Sequence, residues 1–239
     1  MSDGKRYVIP PAPQAALAVA GSADLFPVRR IWCVGRNYLE HIKEMGQDER
    51  EPPFFFAKPA DAIVHDGGTV PYPPLTNDLH HEVEMVVALK SGGRNIPKEK
   101  ALDCVWGYGV GIDLTRRDLQ IASRNIKRPW EIGKAFDGSA PCGPALVTPD
   151  EAGAHDSIGI ELKLNGEVMQ SATPADLIHS VPVLLSHLST LMTLEPGDIV
   201  STGTPSGVGS VREPRVWLKP GDEVEISSPS LGTLRSRLI

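Results

Sequence analysis

Apolar and polar residues alternate along many short stretches of this chain, and a period of two predicts strands. RRIWCVG (29–35) reads as a first buried strand. In LHHEVEMVV (79–87), Val83, Met85 and Val87 alternate with Glu82, Glu84 and Val86, so two glutamates share one face of a strand. VWGYGVGID is a glycine-rich strand ending at Asp113, and FFFAKPADAIV is an apolar run that turns at DGG (66–68). IGIELKLNGEVMQSAT predicts a hairpin around Asn165-Gly166, and DEVEISSPSLGTLRSRLI a second hairpin that closes the chain. DIVSTGTPSGVG is a strand running into a Gly/Thr/Ser loop. Helical spacing is rarer. NYLEHIKEMG (37–46) predicts a short helix capped by Asn37 and ended by Gly46. A second helix runs from Pro97, at a first-turn position, to about Cys104. Leu184, Leu185, Leu188, Leu191 and Met192 form the apolar face of a third, with Pro182 near its start. QDEREPP reads as a charged loop. TRRDLQIASRNIKRPWEIGKAFDGSAPCGP (115–144) reads as a long irregular segment, of a length uncommon without a function.

The 239 residues, 41% of them hydrophobic, suffice for one substantial core. With 23 glycines, 22 prolines, 5% aromatics and many short strands, the expected class is a β-rich α+β fold. Residues 1–28, rich in proline and alanine, read as an N-terminal arm, and without a linker or repeat the rest, 29–239, reads as a single domain. A net charge of −6 without a basic stripe argues against a nucleic-acid partner. No apolar run approaches the roughly 20 residues of a membrane span. The stretch QAALAVAGSA after Lys5 and Arg6 only loosely imitates a signal peptide, being short and preceded by PPAP, so a cytoplasmic location is expected. The odd number of cysteines (Cys33, Cys104, Cys142) fits buried thiols better than a disulfide frame.

The paired glutamates need a compensating cation unless both point into water. Asp113 ends a strand whose Gly107, Gly109 and Gly111 permit close approach of another backbone, and it is the best third partner. Three carboxylates suit a hard divalent ion such as Mg²⁺ or Mn²⁺, with positions left open for water or a chelating substrate. An E-x-E pair by itself is a weak signal and more often marks a solvated face or an ion pair. His80 and His81, beside this strand, fit a supporting role better than a ligand role. On the 37–46 helix, His41 and Glu44 lie three residues apart and share a face, either as a surface pair or as a base with its orienting carboxylate. Thr204, in TGTP, offers a hydroxyl and a backbone N–H to an oxyanion or carboxylate, or forms an ordinary turn.

Taken together, LHHEVEMVV, GYGVGIDLTRRDLQ, GKAFD and STGTPSGVG, with VGRNYLEHIKEMG and FFFAKPADA upstream, resemble the fumarylacetoacetate hydrolase family over roughly residues 30–239. The resemblance implies a mixed β-roll or β-sandwich with a few short helices, one carboxylate-bound Mg²⁺ or Mn²⁺ per subunit, and a homodimer. It places Glu82, Glu84 and Asp113 at the metal-ligand positions, and His41 with Glu44 on a lid helix that activates water in hydrolytic members. It makes Lys134 the lysine that holds substrate oxygens. Arg117 and Gln120 take carboxylate-facing positions, for which the forked guanidinium of Arg117 is suited. Arg36 and Tyr38 flank the lid as further substrate contacts, Arg116 and Asp118 read as structural, and Lys58 fits the family pattern without an assigned role. The implied substrate is a small 2-oxo acid, and the reaction is hydrolysis of an acylpyruvate, isomerisation or decarboxylation. YVIPP, FPVRRIWCVGRNYLEH and REPPFFFAKPADA resemble more narrowly the family's bacterial fumarylpyruvate-cleaving branch, which acts in gentisate breakdown. A fumaryl tail needs a second cation, for which Arg124, Lys127 and Arg128 are candidates. A non-catalytic metal-binding protein is the remote alternative.

Overall fold

The structure, a computed structural model, describes residues 6–44 and 51–239, with side chains for 6–41 and 51–239. Its first strands are β1 (Ala16–Ala18), β2 (Leu25–Pro27), β3 (Arg30–Gly35), β4 (Phe54–Lys58), β5 (Ile63–Val64), β6 (Thr69–Val70), β7 (Leu79–His80) and β8 (Val83–Leu89). There follow β9 (Val105–Ile112), β10 (Thr115–Arg116), β11 (Ala140–Val147), β12 (Ile160–Leu164), β13 (Glu167–Ala172), β14 (Asp198–Ser201), β15 (Glu223–Ser228) and β16 (Gly232–Leu238). The helices are α1 (Leu39–Glu44), α2 (Arg117–Asn125), α3 (Glu131–Lys134), α4 (Pro149–Ala152) and α5 (Val181–Leu191). This is the mixed α+β architecture expected, a curled sheet system with few helices.

A seven-stranded mixed sheet runs β4-β3-β14-β8-β9-β11-β5, and a five-stranded sheet runs β13-β12-β15-β16-β6. Strand β8 lies at the centre of the larger sheet and every one of its residues is buried. Its alternation therefore sorts residues between two apolar cores rather than between core and water. Val83, Met85, Val87 and Leu89 enter the core shared with the five-stranded sheet, beside Leu162, Ile226 and Leu234. Val86 and Ala88, on the parity of Glu84, enter a second core with Ile31, Cys33 and Ile199. The glycines of β9 face the second side of β8, with Gly111 opposite Glu84 and Gly107 opposite Ala88. Their missing side chains let β11 curl inward. A Cβ on Gly107 would stand 2.5 Å from the Val147 carbonyl, and one on Gly111 would stand 3.2 Å from that of Pro141. The two predicted hairpins form as β12–β13 and β15–β16, and Asn165 and Gly166 both take the positive φ that a tight hairpin turn requires. In α5, Leu184, Leu185 and Leu188 are fully buried, whereas Leu191 is 55% exposed at the helix end and Met192 lies beyond it.

Several expectations are corrected. The 115–144 segment is not irregular: it contains β10, α2, α3 and the start of β11. Its helices escape a hydrophobic pattern because the buried side of α2 carries Arg117, Gln120 and Ser123, polar residues at helical spacing. The segment after Pro97 is a 3₁₀ helix, Lys98–Cys104, with Pro97 extended before it. Asn37 is no helix cap. Its amide donates to the carbonyls of His179 (3.0 Å) and Thr202 (2.8 Å) and accepts from the His179 N–H (2.8 Å), stitching the turn after β3 to two distant loops. Gly46 lies outside the described residues. Within the stretch read as an arm, β1 and β2 pair antiparallel, and Leu17 and Phe26 are buried in the second core.

Gly107→Ala is expected to lower stability by about 1–3 kcal/mol, because the added methyl must displace backbone. In urea denaturation, this should lower the midpoint at an unchanged m-value.

Candidate active site

Strand pairing assembles the three acids. Val83 pairs with Ile112 and Glu84 with Gly111, and the Asp113 N–H donates to the Glu82 carbonyl at 2.9 Å. The result is that Glu82, Glu84 and Asp113 each present a carboxylate oxygen within 4.8 Å of the others. All three are buried.

Burial of three like charges calls for cations, and α2, α3 and β4 bring them. Lys134, at the end of α3, places Nζ 2.6 Å from Glu82 Oε2 and 2.6 Å from Asp113 Oδ2. Lys58 of β4 pairs with Asp113 Oδ1 at 2.9 Å and donates to the backbone carbonyls of Leu114 and Lys134. Arg117, at the start of α2, pairs with Glu82 Oε1 through one arm and donates to Gln120 Oε1 at 2.6 Å through the other. Burial would raise the Glu82 carboxyl, but Lys134 and Arg117 outweigh it and hold Glu82 well below the usual carboxylate range. Burial also disfavours charge on Lys134, and the carboxylates of Asp113 and Glu82 overcome it. Glu84 differs. It accepts the Gly203 N–H at 2.9 Å, but among the described residues no cation is paired with it. Burial, reinforced by repulsion from Asp113, pushes its carboxyl well above the ordinary value. Three hard oxygen donors, one of them lacking a counter-charge, fit a divalent cation of the Mg²⁺ or Mn²⁺ kind.

A cleft opens over this cluster. His41, buried in α1, lines it together with Arg36, Gln120, Thr204 and Arg124, and Phe56, Ile121 and Trp130 supply apolar wall. Arg36 holds φ +58° and lies over the rings of Phe54 (5.5 Å) and Trp130 (5.8 Å). Burial lowers its pKa. Tyr38 is not among the residues that line the cleft: its backbone bridges Leu177 and it lines a neighbouring groove with Glu40 and Asp176, while burial and the nearby Glu84 and Asp176 carboxylates raise the pKa of its hydroxyl. The Glu44 side chain lies outside the described residues. Lys127 and Arg128 do not line the cleft.

His80 and His81 stay out of the triad. His80 Nε2 meets Asp78 Oδ1 at 2.6 Å, and His81 Nδ1 meets Gln170 Oε1 at 3.0 Å. Burial lowers the pKa of His81 to about 4. Arg116 binds the carbonyls of Ile132 and Pro74, and Asp118 accepts from Thr76, so both are structural. Cys33, Cys104 and Cys142 are free and buried. Sequence reasoning placed Lys58 in the family pattern but missed its part, the pairing with Asp113. It also missed Gln170, a buried amide in a hairpin strand that holds both His81 and Thr204.

A family model described as "Fumarylacetoacetate (FAA) hydrolase C-terminal" matches residues 30–239. The crystal structure of fumarylpyruvate hydrolase from Pseudomonas aeruginosa in complex with Mn²⁺ and pyruvate is similar over 98% of this chain and 99% of that one, at 45% identity and a TM-score of 0.92. A mitochondrial oxaloacetate tautomerase of Rattus norvegicus is 36% identical over 90% of this chain and 97% of its own length. An oxaloacetate tautomerase of Escherichia coli is 38% identical over 84% of this chain and 89% of its own length.

Mn²⁺ at a hundred times its dissociation constant should stabilise the fold by about 2.7 kcal/mol, a rise in melting temperature of roughly 5–10 °C for a chain of this size. Glu84→Ala should abolish the rise in thermal melts. A rise undiminished in that variant would place the ion elsewhere.

Proposed function

Because the chain belongs to the fumarylacetoacetate hydrolase family, we propose that it is a divalent-metal-dependent hydrolase that cleaves the carbon–carbon bond of an acylpyruvate. Fumarylpyruvate is the proposed substrate, and fumarate and pyruvate are the products. The observation that carries this reading is a buried histidine, His41, in the wall of the cleft that holds the three carboxylates and Lys134. Similarity to a fumarylpyruvate hydrolase solved with Mn²⁺ and pyruvate supports it.

Glu82, Glu84 and Asp113 would hold the metal, which when bound supplies a Lewis acid for the oxygens of the pyruvoyl end and for the charge that develops there. Lys134 donates to those oxygens from its buried position, and Arg117, Gln120 and Thr204 orient the carboxylate. His41 takes a proton from water as the water oxygen attacks the distal acyl carbonyl. Glu44, three residues along α1, is the proposed orienting partner of His41. The bond between the acyl carbon and the methylene carbon then breaks, and its electron pair passes into the enolate of pyruvate. The proton on His41 returns to that methylene carbon, which becomes the methyl group of pyruvate.

The cleft's remaining cations bear on the acyl group. Arg36, paired with Glu51 at 3.4 Å, and Arg124 both line it, and among the described residues no carboxylate is paired with Arg124. Two guanidinium groups suit an acyl tail that ends in a second carboxylate, as fumaryl does. A second reading, keto–enol tautomerisation or decarboxylation of oxaloacetate, is favoured by the curated relatives named oxaloacetate tautomerases. It uses the same enolisation without water attack.

His41→Ala should lower metal-dependent fumarylpyruvate cleavage by about 10²–10⁴-fold, followed as loss of substrate absorbance, while oxaloacetate turnover falls far less. Wild-type protein that converts oxaloacetate and leaves acylpyruvates intact would establish the second reading instead. Arg124→Ala should raise KM for fumarylpyruvate by about tenfold, the worth of one partly exposed charge-assisted hydrogen bond. Acetylpyruvate, which lacks the second carboxylate, should be unaffected.

A further inference from the structure

Gln170 belongs to β13, an edge strand of the five-stranded sheet, yet its side chain is 1% exposed and bonded to the residues around the cleft. Its Oε1 accepts the Val83 N–H at 3.1 Å and faces His81 Nδ1 at 3.0 Å. Its Nε2 donates to Thr204 Oγ1 at 2.8 Å and to the Pro205 carbonyl at 2.9 Å. A primary amide has two donor hydrogens and two acceptor lone pairs, and all four are used here. Two of the partners fix which end of the amide is which. The Val83 N–H can only donate and the Pro205 carbonyl can only accept, so the reversed amide would leave both without a bond.

That orientation dictates the protons on its neighbours. His81 Nδ1 must carry a proton to meet Oε1. The Thr204 oxygen receives a proton from Nε2, so the hydroxyl's own hydrogen is left to donate elsewhere. Among the described residues no acceptor takes it, and Thr204 lines the cleft beside Glu84 and Lys134.

We propose that Gln170 is a positioning residue: by donating to Thr204 Oγ1 it turns the Thr204 hydroxyl proton toward a carboxylate oxygen of the bound 2-oxo acid. The inference rests on the reading that this cleft binds 2-oxo acids. Gln170 does not itself line the cleft. It acts through Thr204, and from the opposite side of the amide it fixes the backbone between Glu82 and Glu84.

The test is calorimetric titration of pyruvate into Mn²⁺-loaded protein, with Mn²⁺ affinity measured on each variant, so the readout is binding rather than turnover. Thr204→Val should weaken pyruvate about tenfold, the loss of one hydrogen bond to a charged group, and Thr204→Ser should restore most of it. Gln170→Met removes both sides of the amide and leaves the Val83 N–H buried without an acceptor. Gln170→Glu keeps the acceptor side, loses the donor side and draws the Thr204 proton to itself. Each should weaken pyruvate about three- to tenfold, with Mn²⁺ affinity unchanged in Gln170→Glu, which keeps the bond to the Val83 N–H. In the Thr204→Val background neither should weaken it further, because the effect passes through that hydroxyl. Should the Met variant fail to melt cooperatively, the Glu variant carries the test, and a purely repulsive effect of its charge would persist in the Thr204→Val background. Losses that add in the double variants, or pyruvate binding untouched by both Gln170 variants, would overturn the inference alone. Wild-type protein that binds Mn²⁺ but no pyruvate would overturn it together with the proposed function.

Discussion

Three carboxylates buried within a few ångströms of one another cannot all remain ionised unless positive charge reaches them, and much of this fold is arranged around that requirement. The acids are fixed by the pairing of β8 with β9. The cations come from elsewhere in the chain: Lys58 from a sheet-edge strand, Arg117 from the start of α2, and Lys134 from the end of α3. Placing charges in a low-dielectric interior costs several kcal/mol per ion, and removing one partner leaves an uncompensated charge. The protein charges satisfy Glu82 and Asp113 and stop short of Glu84. A site that pairs two of three acids is poised for one more cation, and the hard oxygen donors say of what kind.

The strands around the cluster serve the same end. Strand β8 is covered on both faces by separate apolar cores, so the acids at its start are held by packing on either side. Glycines in β9 let β11 close over that strand. Asn37, Gln170 and the Gly203 N–H then tie the loops of the cleft to this frame through hydrogen bonds between segments far apart in sequence. The cleft wall is therefore cross-linked where the acids sit. The residues that face an acyl tail, Arg36 and Arg124, lie on a turn and on the last turn of a short helix.

What was legible in the sequence was local. The strands announced themselves by period two, the hairpin at Asn165-Gly166 by its turn residues, and the acid cluster by an E-x-E pair followed by an aspartate closing a glycine-rich strand. What was hidden was non-local or inverted. Helix α2 buries polar residues, so its periodicity carried no apolar signal. The cap expected of Asn37 went instead to carbonyls at 179 and 202, which no local rule anticipates. Tyr38 neighbours the lid in sequence and lines the adjacent groove rather than the cleft. Lys58 and Gln170 matter through partners such as Leu114 and Thr204, and one sequence does not reveal such pairings.

The central claim is that one cation sits among Glu82, Glu84 and Asp113 and organises the cleft above it. Crystals grown with Mn²⁺ and pyruvate, measured at the manganese absorption edge, test this most directly. The account predicts one anomalous peak at coordinating distance from all three carboxylates, with pyruvate density beside it, against Lys134 and Thr204. A peak bound elsewhere, or pyruvate lodged away from the acids, would contradict it.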